Sequence, residues 1–321
     1  DDPSKVIGRL SAPLLQPNGH FQTIVPALLR FVNIQYRRER IETPDNDFLD
    51  LDWVVKNPDN LVIICHGLEG STTRAYIQGM AKYLTEKSWS ILAWNLRGCS
   101  GEINKALRFY HSGATDDLEA VIQHVTANYN FKNVYLLGFS LGGNLILKYL
   151  GEQGPKLPGL INKCLVFSVP LNLHDCCLKI STGVNQIYGR RFLKMLKQKV
   201  RLKAAFYPNA LEVAKLDQLQ DLIDFDDFFT APVNGFKDAV DYYQRCSSIN
   251  FIDQIKIPTL IVNALNDPFL SETCYLGSNP QNPLVETLTP PEGGHCGFAD
   301  RDLKNSYWSE VLAWNYLNRN E

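Results

Sequence analysis

The sequence predicts an α/β fold: a mostly parallel central sheet, flanked by helices on both faces and interrupted by a helical insertion. Short apolar runs of strand length alternate with helical patterns, as they do when each parallel strand returns through a crossover helix. Those runs are almost continuously apolar, which is the pattern of strands covered on both faces. The alternation stops between about residues 172 and 253, where helical patterns and aromatic residues continue without a convincing strand, and then resumes.

The elements follow in order. Residues 47–55 alternate polar and apolar character (Phe48, Leu49, Leu51, Trp53), as an antiparallel edge strand does. Residues 60–65, 89–95, 133–139, 163–167, 259–265 and 285–288 read as core strands. Residues 74–87, 115–129, 141–151 and 303–317 read as helices. In the first helix Ile77, Met80, Ala81 and Leu84 recur at the i, i+3, i+4, i+7 spacing of one face. The interruption lies between the strand ending at Phe167 and the strand beginning at Thr259. An insertion there falls over the carboxyl ends of the strands, where open α/β sheets bind ligands, so it reads as a helical cap. Its aromatics (Tyr188, Phe192, Phe206, Tyr207, Phe225, Phe228, Phe229, Phe236, Tyr242, Tyr243) are expected to be mostly the cap's own core, with a few lining a pocket. The organisation expected is an N-terminal arm and first part of the core over 1–171, the cap over 172–253, and the second part of the core over 254–321.

Composition narrows the class. The 321 residues suffice for one large core or two small domains, and 45% hydrophobic with 21% charged residues is ordinary for a soluble globular chain. A net charge of −2 gives no support for a nucleic-acid partner. No apolar run approaches the roughly 18–20 residues of a membrane span. The opening Asp1-Asp2-Pro3-Ser4-Lys5 has no signal-peptide pattern, and the lack of an initial Met suggests a trimmed chain. Eight cysteines are scattered without C-x-x-C spacing, so a zinc framework is not expected. Cys65 and Cys164 read as small buried hydrophobes, and a thiol-rich chain fits a reducing, cytoplasmic compartment. The adjacent His174-Asp175-Cys176-Cys177 cannot all face one ion on a regular element, so no metal site is read there.

The chemistry centres on Gly138-Phe139-Ser140-Leu141-Gly142, between the strand-like run 133–137 and the helical run 143–150. A serine on a tight strand-to-helix turn presents its hydroxyl in the open, and glycines two positions either side make room for the turn. The same turn sets Ser140 at a helix N-terminus, which favours developing negative charge. This is the nucleophile elbow of the α/β-hydrolase fold. In that fold an acid and then a histidine follow the serine in chain order. Asp267 falls at the carboxyl end of the strand predicted over 259–265, with Pro268 stiffening its loop; Glu292 and Asp300 are the alternatives. His295 sits in Gly293-Gly294-His295-Cys296-Gly297, a setting suited to a loop and not to a packed core. The other histidines lack this combination. The oxyanion of acyl transfer needs two donors: the N–H of Leu141, after the nucleophile, and the N–H of Leu68 in His66-Gly67-Leu68-Glu69-Gly70.

His66-Gly67-Leu68-Glu69-Gly70-Ser71, Asn95-Leu96-Arg97-Gly98-Cys99-Ser100-Gly101 and Tyr110-His111-Ser112-Gly113 resemble the YheT-like branch of the α/β-hydrolases. That branch is related to eukaryotic abhydrolase-domain proteins and yeast medium-chain acyl ester synthases/esterases. Asn18-Gly19-His20-Phe21-Gln22-Thr23 resembles the branch's Asn-Pro-His-Leu-Gln-Thr, with Gly19 and Phe21 as departures. Thr230-Ala231-Pro232-Val233-Asn234-Gly235-Phe236 and Asp241-Tyr242-Tyr243 resemble its cap motif. The resemblance implies Ser140, Asp267 and His295 as a triad that hydrolyses carboxylic esters, of short or medium acyl chain or lipid-like, with acyl transfer to an alcohol as the alternative. A non-catalytic binding protein on the same fold is the reading of another class. No cofactor is expected, and the partner expected is a small-molecule acyl ester. The natural ester and the oligomeric state are not legible, and Arg97 is read only as a tie between loops.

Overall fold

The computed structural model describes residues 9–208, 210–277 and 281–319; the expectations about the opening five residues lie outside them. The elements are α1 (Gly19–Leu29), β1 (Arg37–Glu42), β2 (Phe48–Val54), β3 (Asn60–Cys65), α2 (Ala75–Glu86), β4 (Ser90–Asn95), α3 (Thr115–Asn128), β5 (Asn133–Phe139), α4 (Leu141–Gln153) and β6 (Ile161–Phe167). Then come α5 (Leu173–Ile180), α6 (Gln186–Ala204), α7 (Ala239–Cys246), β7 (Thr259–Val262), β8 (Val285–Leu288) and α8 (Trp308–Leu317), with short helical turns between. The sheet order is β1-β2-β4-β3-β5-β6-β7-β8. β2 runs antiparallel to both neighbours and the other pairs are parallel. This is the mixed, mostly parallel sheet of the α/β-hydrolase fold. No helix among the described residues is long and apolar enough to cross a membrane.

The period-two geometry of a strand divides the core. Leu61, Ile63 and Cys65 of β3 pack on the side that holds Leu118 and Val121 of α3 and Leu145 and Ile146 of α4. Val62 and Ile64 pack on the other side with Ile77, Met80 and Leu84 of α2 and Leu312 and Ala313 of α8. These strand side chains are fully buried, and each is worth roughly 1.5–3 kcal/mol of transfer free energy.

Four elements differ from their sequence reading in place or extent. The strand predicted at the edge is β2, which lies inside the sheet because β1 covers it. β1, Arg-Arg-Glu-Arg-Ile-Glu, has no apolar alternation to announce it; charged side chains of this kind protect an edge against further pairing. It is held by directly opposed pairs, Arg38 with Asp52 at 2.8 Å and Arg40 with Asp50 at 2.7 Å. β7 ends at Val262, three residues early, and α8 begins at Trp308, where the Glu310 carboxylate accepts the Tyr307 N–H at 2.9 Å.

Between β6 and β7 the described chain is helical, with no strand. Leu173, Ala231, Ala239, Tyr242, Tyr243 and Cys246 form a small cluster of their own. α6 is tied to the rest of the fold by two lysines: buried Lys203 donates to the carbonyls of Asn104 and Ala106, and Lys199 pairs with Glu69 at 2.8 Å.

Candidate active site

β5 runs apolar to Phe139 and the chain then turns at Ser140 with φ 53° and ψ −124°, a left-handed conformation that costs a non-glycine residue roughly 1–3 kcal/mol. The turn is held by the Ser140 N–H donating to the Phe167 carbonyl at 2.9 Å. A Cβ on Gly142 would stand 2.4 Å from the His66 carbonyl oxygen, so only glycine lets α4 start this close to β3.

The structure brings Ser140, His295 and Asp267 together. His295 Nε2 is 2.8 Å from Ser140 Oγ, and His295 Nδ1 is 2.8 Å from Asp267 Oδ2. The carboxylate accepts at Nδ1, so that nitrogen carries the proton and Nε2 is free to accept from the serine. The Asp267 side chain is fully buried, and its other oxygen accepts the Phe269 N–H at 2.8 Å. The Phe269 ring stacks on the imidazole at 4.0 Å between centroids. Burial alone would lower the His295 pKa; the Asp267 carboxylate beside it outweighs that and raises it above its ordinary 6.5. Glu292 and Asp300 serve elsewhere: they accept the backbone N–H groups of Ala12 at 3.1 Å and Ser11 at 2.9 Å.

The loops that carry Asp267 and His295 are clamped by α1, a contribution sequence reasoning missed. Gln22 Oε1 accepts from the Gly293 N–H and from the Asn266 amide, both at 2.8 Å. Thr23 Oγ1 accepts the His295 N–H at 2.9 Å, and Asn266 Oδ1 accepts the Gly294 N–H at 3.0 Å. A Cβ on Gly297 would fall 2.0 Å from the Gln22 carbonyl oxygen, so arm and loop meet backbone to backbone. The Asn18–Thr23 motif stands out in the sequence only by its resemblance, and nothing local to it signals bonds to residues some 270 positions away.

Leu68 and Leu141 both line the cavity beside Ser140, and neither backbone N–H has an acceptor among the described residues. His66 sets the Leu68 turn. Its Nε2 accepts the Leu96 N–H at 3.1 Å, so its Nδ1 donates to the Gly67 carbonyl at 2.8 Å and holds that carbonyl turned toward the ring. Burial lowers the His66 pKa to about 4, so the ring stays neutral in this role. Arg97 does tie loops: its buried guanidinium bonds Asp45, Asp47 and Asp117. His111 accepts the Gly113 N–H at Nδ1 and is kept neutral by burial, which lowers its pKa to about 3.

Ser140 and His295 open onto a cavity of about 300 Å³, at the small end of small-molecule sites. Its wall is mostly apolar, with Ile180, Phe192, Met195, Leu196, Phe225 and Phe229 among its residues. Of the ten aromatics expected chiefly to fill a cap core, six line this cavity: Tyr188, Phe192, Phe225, Phe229, Tyr242 and Tyr243. Phe225 and Phe229 belong to the main core cluster and Tyr188 and Phe192 pack against it, so these rings fill the core and face the cavity at once. Among the described residues no cluster of His, Cys, Asp and Glu is arranged to hold a metal ion.

The alpha/beta hydrolase fold family matches residues 60–302, from the start of β3 past His295. YheT of Escherichia coli strain K12, an esterase by name, is 34% identical over 309 residues, spanning 94% of this chain and 90% of its own. Phospholipase ABHD3 of Mus musculus is 30% identical over 278 residues, 83% of this chain and 67% of its own. Among solved structures, the esterase Pf2001 of Pyrococcus furiosus gives a TM-score of 0.55 at 19% identity, covering 83% of this chain and 87% of that one, a likeness of fold alone.

Proposed function

The chain belongs to the alpha/beta hydrolase fold family, and from that premise we propose that it is a carboxylic ester hydrolase acting on short- or medium-chain acyl esters through Ser140, His295 and Asp267. The observation that carries this reading is the continuous relay of two 2.8 Å hydrogen bonds from Ser140 through His295 to Asp267. The esterase and phospholipase names of its relatives agree with it.

Ser140 Oγ attacks the ester carbonyl while His295 Nε2 takes its proton, and Asp267 stabilises the imidazolium that forms. The carbonyl oxygen becomes an oxyanion, held by the N–H groups of Leu68 and Leu141; losing one such donor costs about 2.7–4 kcal/mol of barrier. Collapse of this intermediate breaks the bond to the alcohol, which leaves with the proton from His295. Water then attacks the acyl-serine with His295 again as base, and the carboxylic acid is released. The helical segment 172–253 acts as the cap, whose aromatics select the acyl chain.

A fluorophosphonate probe should label the folded protein at Ser140, and Ser140→Ala should lose the label. The same variant should lose p-nitrophenyl butyrate hydrolysis by about 10³-fold or more. Wild-type turnover by Ser140→Ala would overturn the assignment.

A further inference from the structure

We propose that the mouth of this cavity docks on an anionic lipid bilayer, so that the enzyme takes its acyl esters from a lipid surface; this rests on the ester-hydrolase reading above. Residues that both line the cavity and stand exposed mark the mouth: Ile24, Ala27 and Leu28 of α1, and Arg191 of α6. The two helices meet there, where the His20 ring stacks on Tyr188 at 5.8 Å and its Nδ1 lies 3.0 Å from the Tyr188 hydroxyl.

α1 is built inside out for a surface helix. Its buried face is Gly19, Gln22, Thr23 and Pro26, spent on clamping the acid and base loops. Its apolar side chains therefore face solvent: Phe21, Leu28 and Leu29 are 49, 58 and 69% exposed, and Phe31 just beyond is 91% exposed. Scattered exposed leucines mean little, but a contiguous apolar stretch beside a cavity mouth marks an interaction surface.

α6 supplies the charge. It carries seven lysines and arginines and no acidic residue. Lys197, Lys199 and Lys203 are turned to carbonyls and to Glu69, and Arg201 pairs with Asp217. That leaves Arg190, Arg191 and Lys194 exposed, with no acidic partner among the described residues (Arg190 donates to the neutral Gln186 amide oxygen), next to exposed Val184 and Ile187. In a chain of net charge −2 this positive, apolar rim is local. Cations beside apolar side chains suit anionic headgroups over acyl chains. A second copy fits poorly, because it would bring the same three cations together.

Sedimentation with vesicles tests this, using pure phosphatidylcholine against an equal mixture with phosphatidylglycerol, at low and high salt. We expect binding to the anionic vesicles that weakens as salt rises. Phe21→Ser with Ile187→Ser, which flank the His20–Tyr188 contact, should bind about tenfold more weakly while keeping the wild-type circular dichroism spectrum. Arg190→Glu with Lys194→Glu should abolish the preference for anionic lipid. Failure of the wild type to sediment with anionic vesicles would overturn the proposal. So would wild-type binding by either variant, or a dimer in light scattering that covers this face in place of lipid. Labelling of Ser140 in lipid-free buffer reads the hydrolase assignment separately.

Discussion

Replacing Thr23 with valine keeps the shape of the side chain and removes one oxygen. That oxygen accepts the His295 N–H at 2.9 Å and donates to the Gly19 carbonyl at 2.6 Å, in a buried position. Valine leaves both groups without those partners, and a buried polar group stripped of its partner costs about 1–3 kcal/mol. The midpoint of urea unfolding should fall accordingly. The stranded amide belongs to the residue whose ring must stay within reach of Ser140, so part of the cost should appear in the barrier. If about 1.4 kcal/mol does so, kcat for p-nitrophenyl butyrate falls about tenfold, with KM within about twofold of wild type. Thr23→Ser, which keeps the hydroxyl, should restore both rate and stability. A Thr23→Val enzyme with wild-type kcat and an unchanged urea midpoint would refute the idea that α1 positions the base.

Three further outcomes are expected. Asp267 holds the His295 pKa above 6.5 in the folded state, so this pair stabilises the fold fully below pH 6.5 and loses that contribution as pH rises through the raised value. Asp267→Asn should therefore lower the urea midpoint more at pH 6 than at pH 10, and should move the acid limb of kcat/KM to lower pH; an equal loss at both pH values would contradict this. Gly297→Ala drives a Cβ to 2.0 Å from the Gln22 carbonyl oxygen, so the histidine loop must shift. A misplacement of about 1 Å costs about 10²-fold in kcat, and steady-state kinetics near wild type would show the loop to be tolerant. Arg97→Met removes the cation paired with the Asp47 and Asp117 carboxylates, both almost fully buried, and should cost about 3–5 kcal/mol in urea unfolding, against little change if water replaces the guanidinium.

Much of this molecule is local in sequence. The elbow is legible because the run-turn-helix around Ser140 lies within twenty consecutive residues, and the two-sided burial of β3 to β6 makes those strands continuously apolar. Asp267 and His295 stand out through chain order and flanking glycines. The arm is not legible, because periodicity detects an apolar face against a core, and the buried face of α1 is Gly, Gln, Thr and Pro. β1 escapes for a related reason: an edge strand guarded by charge carries no alternation. The aromatics of 172–253 are visible, but which of them face a cavity depends on how one long and several short helices pack.

The clamp between α1 and the histidine loop has a consequence for the timing of synthesis. Synthesis runs from the N-terminus, so Gln22 and Thr23 leave the ribosome before Ser140, and Ser140 before His295. On the proposed assignment the serine has no base until His295 arrives, and a growing chain that holds the elbow alone is chemically silent. On that assignment activity begins when the His295 loop closes on α1, so turnover itself reports that this clamp has formed.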